Sequence, residues 1–251
     1  MPISPNQGSS GGGTLVTVTG TNLSGTSAVK FGSKSATSIT QVSPTQVTAV
    51  SPSGSGEVDV TVTTPGGASN PVPFFYVGAP FKSSLSASSG PLGGGNSITV
   101  NGTGLSTATS VSFGGVTATP TVVSDSQISV TVPAGAAAGS VSVSVTTAGG
   151  TNNGLHYTYI DTPTITTIAP NSGPASGGTA VTITGTNLDT TDSVTFGAVP
   201  APFTVINATT LSVVVPPTPD GGAGPSDVRV TNPGGTALAA DGFTYLASPG
   251  I

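Results

Sequence analysis

The chain has 251 residues, no cysteine, 37 glycines, 22 prolines and a formal charge of -5, and only 5% of its residues are charged. The missing cysteines exclude disulfides and thiolate metal sites. Four scattered cations (Lys30, Lys34, Lys82, Arg229) and a pI near 4.2 argue against nucleic-acid binding, which needs clustered Lys and Arg, and no apolar run approaches the ~18 residues of a membrane span.

Disorder is also excluded. It requires few apolar residues and high net charge, whereas 35% of this chain is hydrophobic and its apolar residues alternate regularly. Abundant Thr and Val favour pleated backbone because a branched Cβ is stiff, while Gly and Pro supply turns. The composition therefore predicts an all-β chain of many short strands. The opening Met1-Pro2-Ile3-Ser4-Pro5 has neither the basic nor the apolar region of a signal peptide.

In chain order, Gly8 is followed by the turn Gly11-Gly12-Gly13 and then by a strand in which Val16 and Val18 alternate with Thr before Gly20. Leu23 lies eight residues before Phe31, and Phe31 precedes Gly32. Val58, Val60 and Val62 alternate again, Thr63-Thr64-Pro65-Gly66-Gly67 reads as a hairpin turn, and Phe74 and Tyr76 close the unit. The same landmarks return. Gly90, Gly93 to Gly95, Ile98, Val100, Gly102, Leu105, Phe113, Val141 to Val145, Ala148-Gly149-Gly150, Tyr157 and Tyr159 make a second unit. Gly173, Gly177-Gly178, Val181, Ile183, Gly185, Leu188, Phe196, Val228, Val230, Pro233-Gly234-Gly235, Phe243 and Tyr245 make a third. The glycines at 20, 102 and 185 are spaced by 82 and 83 residues. About seven strands per repeat, with no useful helical periodicity, suit a two-sheet sandwich.

The Pro-x-x-Gly opening, the strand ending T-G-T-N-L, the V-x-F-G step, the T-x-P-G-G turn and the terminal F-x-Y resemble the IPT/TIG family, an immunoglobulin-like fold shared by bacterial surface proteins, plexin-type receptors and some transcription factors. The resemblance covers nearly the whole chain three times. The second repeat departs from it at Ala87, where the others have Pro5 and Pro170, and at Gly104, where the others have Asn. The fold expected is therefore all-β, three tandem immunoglobulin-like β-sandwiches covering 1–78, 79–161 and 162–251. Short Pro-containing linkers near Gly78-Ala79-Pro80 and Asp161-Thr162-Pro163 would be semi-rigid. At a radius of gyration of roughly 12 Å per domain, three in line would make an elongated rod on the order of 90 Å.

Candidate chemistry is thin. His156, the one histidine, stands where the other repeats have Pro73 and Gly242, so a surface strand position fits it better than a metal site. Gly8-Ser9-Ser10-Gly11-Gly12 matches G-x-S-x-G in form only, because no helix follows to make a nucleophile elbow. The glycine turns open strands, not the helices that cradle phosphate. Asp189 and Asp192 match Ser24 and Ser27 in the first repeat and read as turn residues, not calcium ligands. Tyr76, Tyr159 and Tyr245 share one repeat position, which implies a core or corner role and leaves glycan stacking without a platform. Sequons occur at Asn22, Asn101 and Asn207, as a Thr-rich chain produces by chance. No enzyme, cofactor or metal is expected.

One loop varies in length between the repeats. Pro52 to Val60 spans eight residues, Pro133 to Val143 ten and Pro216 to Val228 twelve. The third version is the candidate partner-contact loop, through Pro219, Asp220, Gly221, Gly222 and Asp227, since loops on rigid sandwiches carry most contacts. The function expected is structural display and surface contact, with other protein subunits or surface glycans as partners. A bacteriophage virion component is the first setting, favoured by a first domain that begins at residue 3 without a leader. A bacterial adhesin or spacer fragment is the second, and a glycan-binding accessory module the third.

Overall fold

The computed structural model describes residues 1–247, and among them every regular element is a β-strand. The end of the third expected domain, 248–251, lies outside the described residues. Six sheets form, two in each repeat. The chain folds as two compact units. The first is Met1–Ser86 with Ser97–Val132 and Ser142–His156, and the second is Ala87–Asn96 with Pro133–Val141 and the chain from Tyr157 onward. The second repeat therefore contributes to both.

In the first unit, one sheet of the first repeat orders its strands Ile3–Ser4, Leu15–Thr19, Gln46–Val50 and Ser38–Ser43. The facing sheet runs Gln7–Ser9, Val72–Val77, Gly56–Thr64, Ala28–Phe31 and Lys34–Ser35, with Gly67–Ala68 beside Gly56–Thr64. The opening strand thus changes sheets at the cis Ser4–Pro5 bond, first antiparallel to Leu15–Thr19 and then parallel to Val72–Val77. The alternation read from sequence explains the core. Val16 and Val18 are buried while Thr17 and Thr19 face outward, and they pack with Leu23, Val29, Phe31, Val47, Val60, Val62 and Phe74. The second repeat's sheet of Phe81–Leu85, Ser97–Thr103, Gln127–Thr131 and Thr121–Ser124 also lies in this unit. Lys82 is buried there, its Nζ donating to the Val143 carbonyl at 2.7 Å, and desolvation lowers its pKa.

In the second unit, Ser89–Pro91 runs parallel to the end of Gly150–Ile160. The third repeat reproduces the first, with sheets ordered Thr164–Ala169, Ala180–Thr186, Thr210–Val214, Phe203–Asn207 and Ser172–Pro174, Gly235–Leu246, Gly224–Asn232, Ser193–Phe196, Val199–Ala201. It has its own core around Val181, Ile183, Leu188, Phe196, Leu211, Val213, Phe243 and Tyr245.

Gly8, Gly90 and Gly173 owe their identity to close approach. A methyl at the first or third would overlap Thr14 or Thr179, and at the second it would overlap the Tyr157 hydroxyl. The second repeat has exchanged a Thr and a Phe together. Asn96 replaces Thr at this position, and its amide donates to a Tyr157 hydroxyl that Phe74 and Phe243 lack. The Asn-to-Gly departure at 104 also keeps the backbone: Asn22, Gly104 and Asn187 have φ of 59°, 71° and 54°, a left-handed position that Gly and Asn occupy at least cost.

The three repeat tyrosines are corner pins. Tyr76, Tyr159 and Tyr245 donate their hydroxyls to the carbonyls of Pro52, Pro133 and Pro216, each at 2.8 Å. Burial raises the pKa of all three and of Tyr157. A raised folded pKa gives stability that is complete below the unfolded value of 10.0 and is lost as pH climbs through the folded values. Lys82, with its lowered pKa, works in the opposite direction toward 10.5, but it is one group against four. Urea midpoints are therefore expected to fall between pH 9 and pH 11. Tyr245→Phe should flatten that fall for the third domain, and midpoints that do not change over this range would contradict the assignment.

Candidate contact cleft of the third repeat

The candidate loop begins at the carbonyl of Pro216, which the Tyr245 hydroxyl holds. Its next turn is fixed by Thr218, whose N–H donates to the Ala175 carbonyl at 3.0 Å. Beyond this point the loop leaves the sandwich. Pro219 to Ala223 are all exposed. Asp220 folds back on the chain, one carboxylate oxygen accepting from the Gly222 N–H at 3.1 Å.

Opposite stands the hairpin joining Ser193–Phe196 to Val199–Ala201. Between hairpin and loop lies an open cleft of about 310 Å³, lined by Phe196, Ala198, Val199, Pro219, Asp220, Ala223 and Tyr245 among others. That volume is at the lower end of small-ligand pockets. Its chemistry consists of apolar side chains, backbone amides, the hydroxyls of Thr218 and Ser226 and one exposed carboxylate, Asp220.

The structure separates the sequence candidates. Pro219, Asp220 and Gly222 line the cleft, with Gly221 between them at the loop tip. Asp227 is directed elsewhere: one carboxylate oxygen accepts from Arg229 Nη2 at 2.9 Å and the other from the Asp241 N–H at 3.1 Å. It ties the Gly224–Asn232 and Gly235–Leu246 strands together. Of the cleft residues absent from the sequence reading, Phe196 and Tyr245 were landmarks of the buried core that also border the cleft, whereas Ala198 and Val199 carried no signal in the sequence. His156 is exposed on the Gly150–Ile160 strand, and Asp189 and Asp192 are exposed in the turn after Leu188. Among the described residues, no three His, Asp or Glu side chains gather as a metal site.

Paired, largely antiparallel sheets with a sheet-switching first strand and tyrosine corner pins define tandem immunoglobulin-like sandwiches. The chain belongs to the IPT/TIG domain family, whose model matches residues 1–76, 80–159 and 163–245. Comparison with curated proteins finds none that matches. Among solved structures, the full extracellular region of plexin A4 is 22% identical over 99% of this chain and 24% of its own, with a TM-score of 0.49. SGBP-B from a xyloglucan utilization locus of Bacteroides uniformis is 23% identical over 66% of this chain and 49% of its own, with a TM-score of 0.32. The Escherichia coli adhesin FdeC is 18% identical over 98% and 96%, with a TM-score of 0.38. The chain spans about a quarter of the length of that plexin and a third of a second plexin A4 chain.

Proposed function

We propose that this protein is a non-catalytic spacer and contact element on an exterior surface, built from domains 1–78, 79–161 and 162–251, with the 216–227 loop making the contact. The observation that carries this reading is that each linker is gripped by the domain that follows it. The Pro80 carbonyl accepts from Asn152, and the Asp161 carbonyl accepts from Asn232 at 3.1 Å. Linkers bonded in this way are not free to swing, which is what a spacer requires. Ser and Thr are the commonest residues on the exposed sides of the strands, so these faces are hydrated with little charge. A protein partner fits the cleft better than a glycan does. All four tyrosines are buried, so none offers a face for stacking on sugar.

The test is protease shaving of intact particles and intact cells from the source, followed by mass spectrometry of what is released. Peptides from the 216–227 loop are expected early, and the fraction that releases them distinguishes a virion from a cell surface. Recovery of the chain only from an interior fraction would overturn the reading. Replacing residues 217–227 with the first repeat's Ser53 to Asp59 should abolish partner binding and leave the circular dichroism unchanged.

A further inference from the structure

We infer that the cleft of the third repeat receives a basic side chain, lysine or arginine, from a protein partner. The inference rests on the 216–227 loop being the contact, and it specifies what that contact recognises. The first repeat shows the chemistry at the equivalent place. Lys34, three residues after Phe31 in the hairpin, donates from Nζ to the Ser53 carbonyl at 2.8 Å. Ser53 follows Pro52 at the start of the loop that corresponds to the candidate loop. The chain's own ammonium therefore spans from hairpin to loop.

The third repeat lacks that cation and carries an anion instead. Counted from the shared Phe-Gly step, Val199 stands where Lys34 does, and its short apolar side chain has no donor for the loop. The longer loop between Pro216 and Val228 brings in Asp220, whereas the second repeat's loop from Pro133 to Val143 has no charged residue. One oxygen of Asp220 accepts from the Gly222 N–H at 3.1 Å, and among the described residues no cation pairs with it. Arg229, the one Lys or Arg in 162–251, is already held by Asp227 at 2.9 Å. A cation at Asp220 must come from outside the domain.

The walls suit a long basic side chain. Ala198, Pro219 and Ala223 are exposed and Val199 is half-buried, so the cleft offers apolar contact to methylenes and a carboxylate to the charged head. Lys and Arg bury their stems along apolar surface and keep their heads hydrated, which an open cleft permits. Charge at longer range points to the same partner. Residues 162–251 hold five carboxylates, Asp189, Asp192, Asp220, Asp227 and Asp241, against Arg229 alone, whereas the four charged side chains of 1–78 balance. Such an excess steers a basic surface toward this domain.

The test is an NMR titration of the isotope-labelled full chain with N-acetyl-lysine amide and with N-acetyl-arginine amide. One or both should shift the amide signals of Ala198, Val199, Gly222 and Ala223 and saturate in the millimolar range, as ligands of this size do. The tighter of the two identifies the basic residue. N-acetyl-citrulline amide has arginine's shape without its charge and should bind about fivefold more weakly, and Asp220→Asn should weaken the cations by about the same factor. Val199→Lys should recreate the first repeat's arrangement and compete with both amides. No binding by either cation, equal binding by the citrulline amide, or binding untouched by Asp220→Asn and Val199→Lys would overturn the inference. Partner binding that is lost on replacing the loop but kept by Asp220→Asn would also overturn it, while leaving the loop as the contact.

Discussion

Phe243→Ala is expected to lower the melting temperature of the third domain sharply and to leave that of the first unchanged. Phe243 is fully buried, with its ring edge-to-face with Phe196 at 5.4 Å and with Tyr245 at 5.1 Å. Truncating a buried phenylalanine costs about 3–5 kcal/mol, and each lost edge-to-face pair removes about 0.5–1.5 kcal/mol of the stacking preference. A domain of this size has total stability on the order of 5–10 kcal/mol. One kcal/mol shifts its midpoint by about 4–8 °C, so a fall of more than about 15 °C is expected. The effect stays local because the cores of the first and third repeats share no residue. Differential scanning calorimetry should show one transition moving down and the first domain's transition holding, and Phe74→Ala should exchange their roles. Transitions that shift together in both variants would mean the cores are not independent.

The cores were legible because their strands bury one face. Val16/Val18, Val60/Val62 and Val181/Ile183 alternate strictly with small polar residues, and that period of two is visible without any tertiary information. Edge strands offered no such signal. Thr121–Ser124 exposes every residue and Ser38–Ser43 exposes four of six and buries none, so no alternation marks them as strands. Long-range pairings were also hidden. Phe31 and Phe74 meet at 5.1 Å across the sandwich, and Tyr76 reaches the Pro52 carbonyl, yet spacing within a repeat does not show which landmarks touch. Lys82 read as one of four scattered charges, because only the fold places an ammonium under the Val143 carbonyl. The candidate loop was visible from its length, but length cannot separate Asp220, which stays at the cleft, from Asp227, which Arg229 and the Asp241 amide hold away from it.

Gly149→Val and Gly234→Val should each release one linker and leave the sandwich cores intact. At both positions the side chain would occupy the space of a linker carbonyl, so the linker must lift from the hairpin. Lifting it breaks the bond from Asn152 to the Pro80 carbonyl in the first case and the bond from Asn232 to the Asp161 carbonyl in the second. Losing one partner of a buried hydrogen bond costs about 1–3 kcal/mol, and about 1.4 kcal/mol is a factor of ten in the open population. A broad-specificity protease should therefore cut Gly149→Val near residues 78–80, and Gly234→Val near 161–163, at least about fivefold faster than the parent. Each variant should leave the other linker as resistant as before, since the two sets of bonds share no residue. Gly66→Val provides the control: a methyl at that position meets only Thr64 Oγ1, at an ordinary contact distance of 3.7 Å, so cleavage at both linkers should match the parent. Equal cleavage rates in all three variants would mean that the glycines are turn residues only and that the linkers are free.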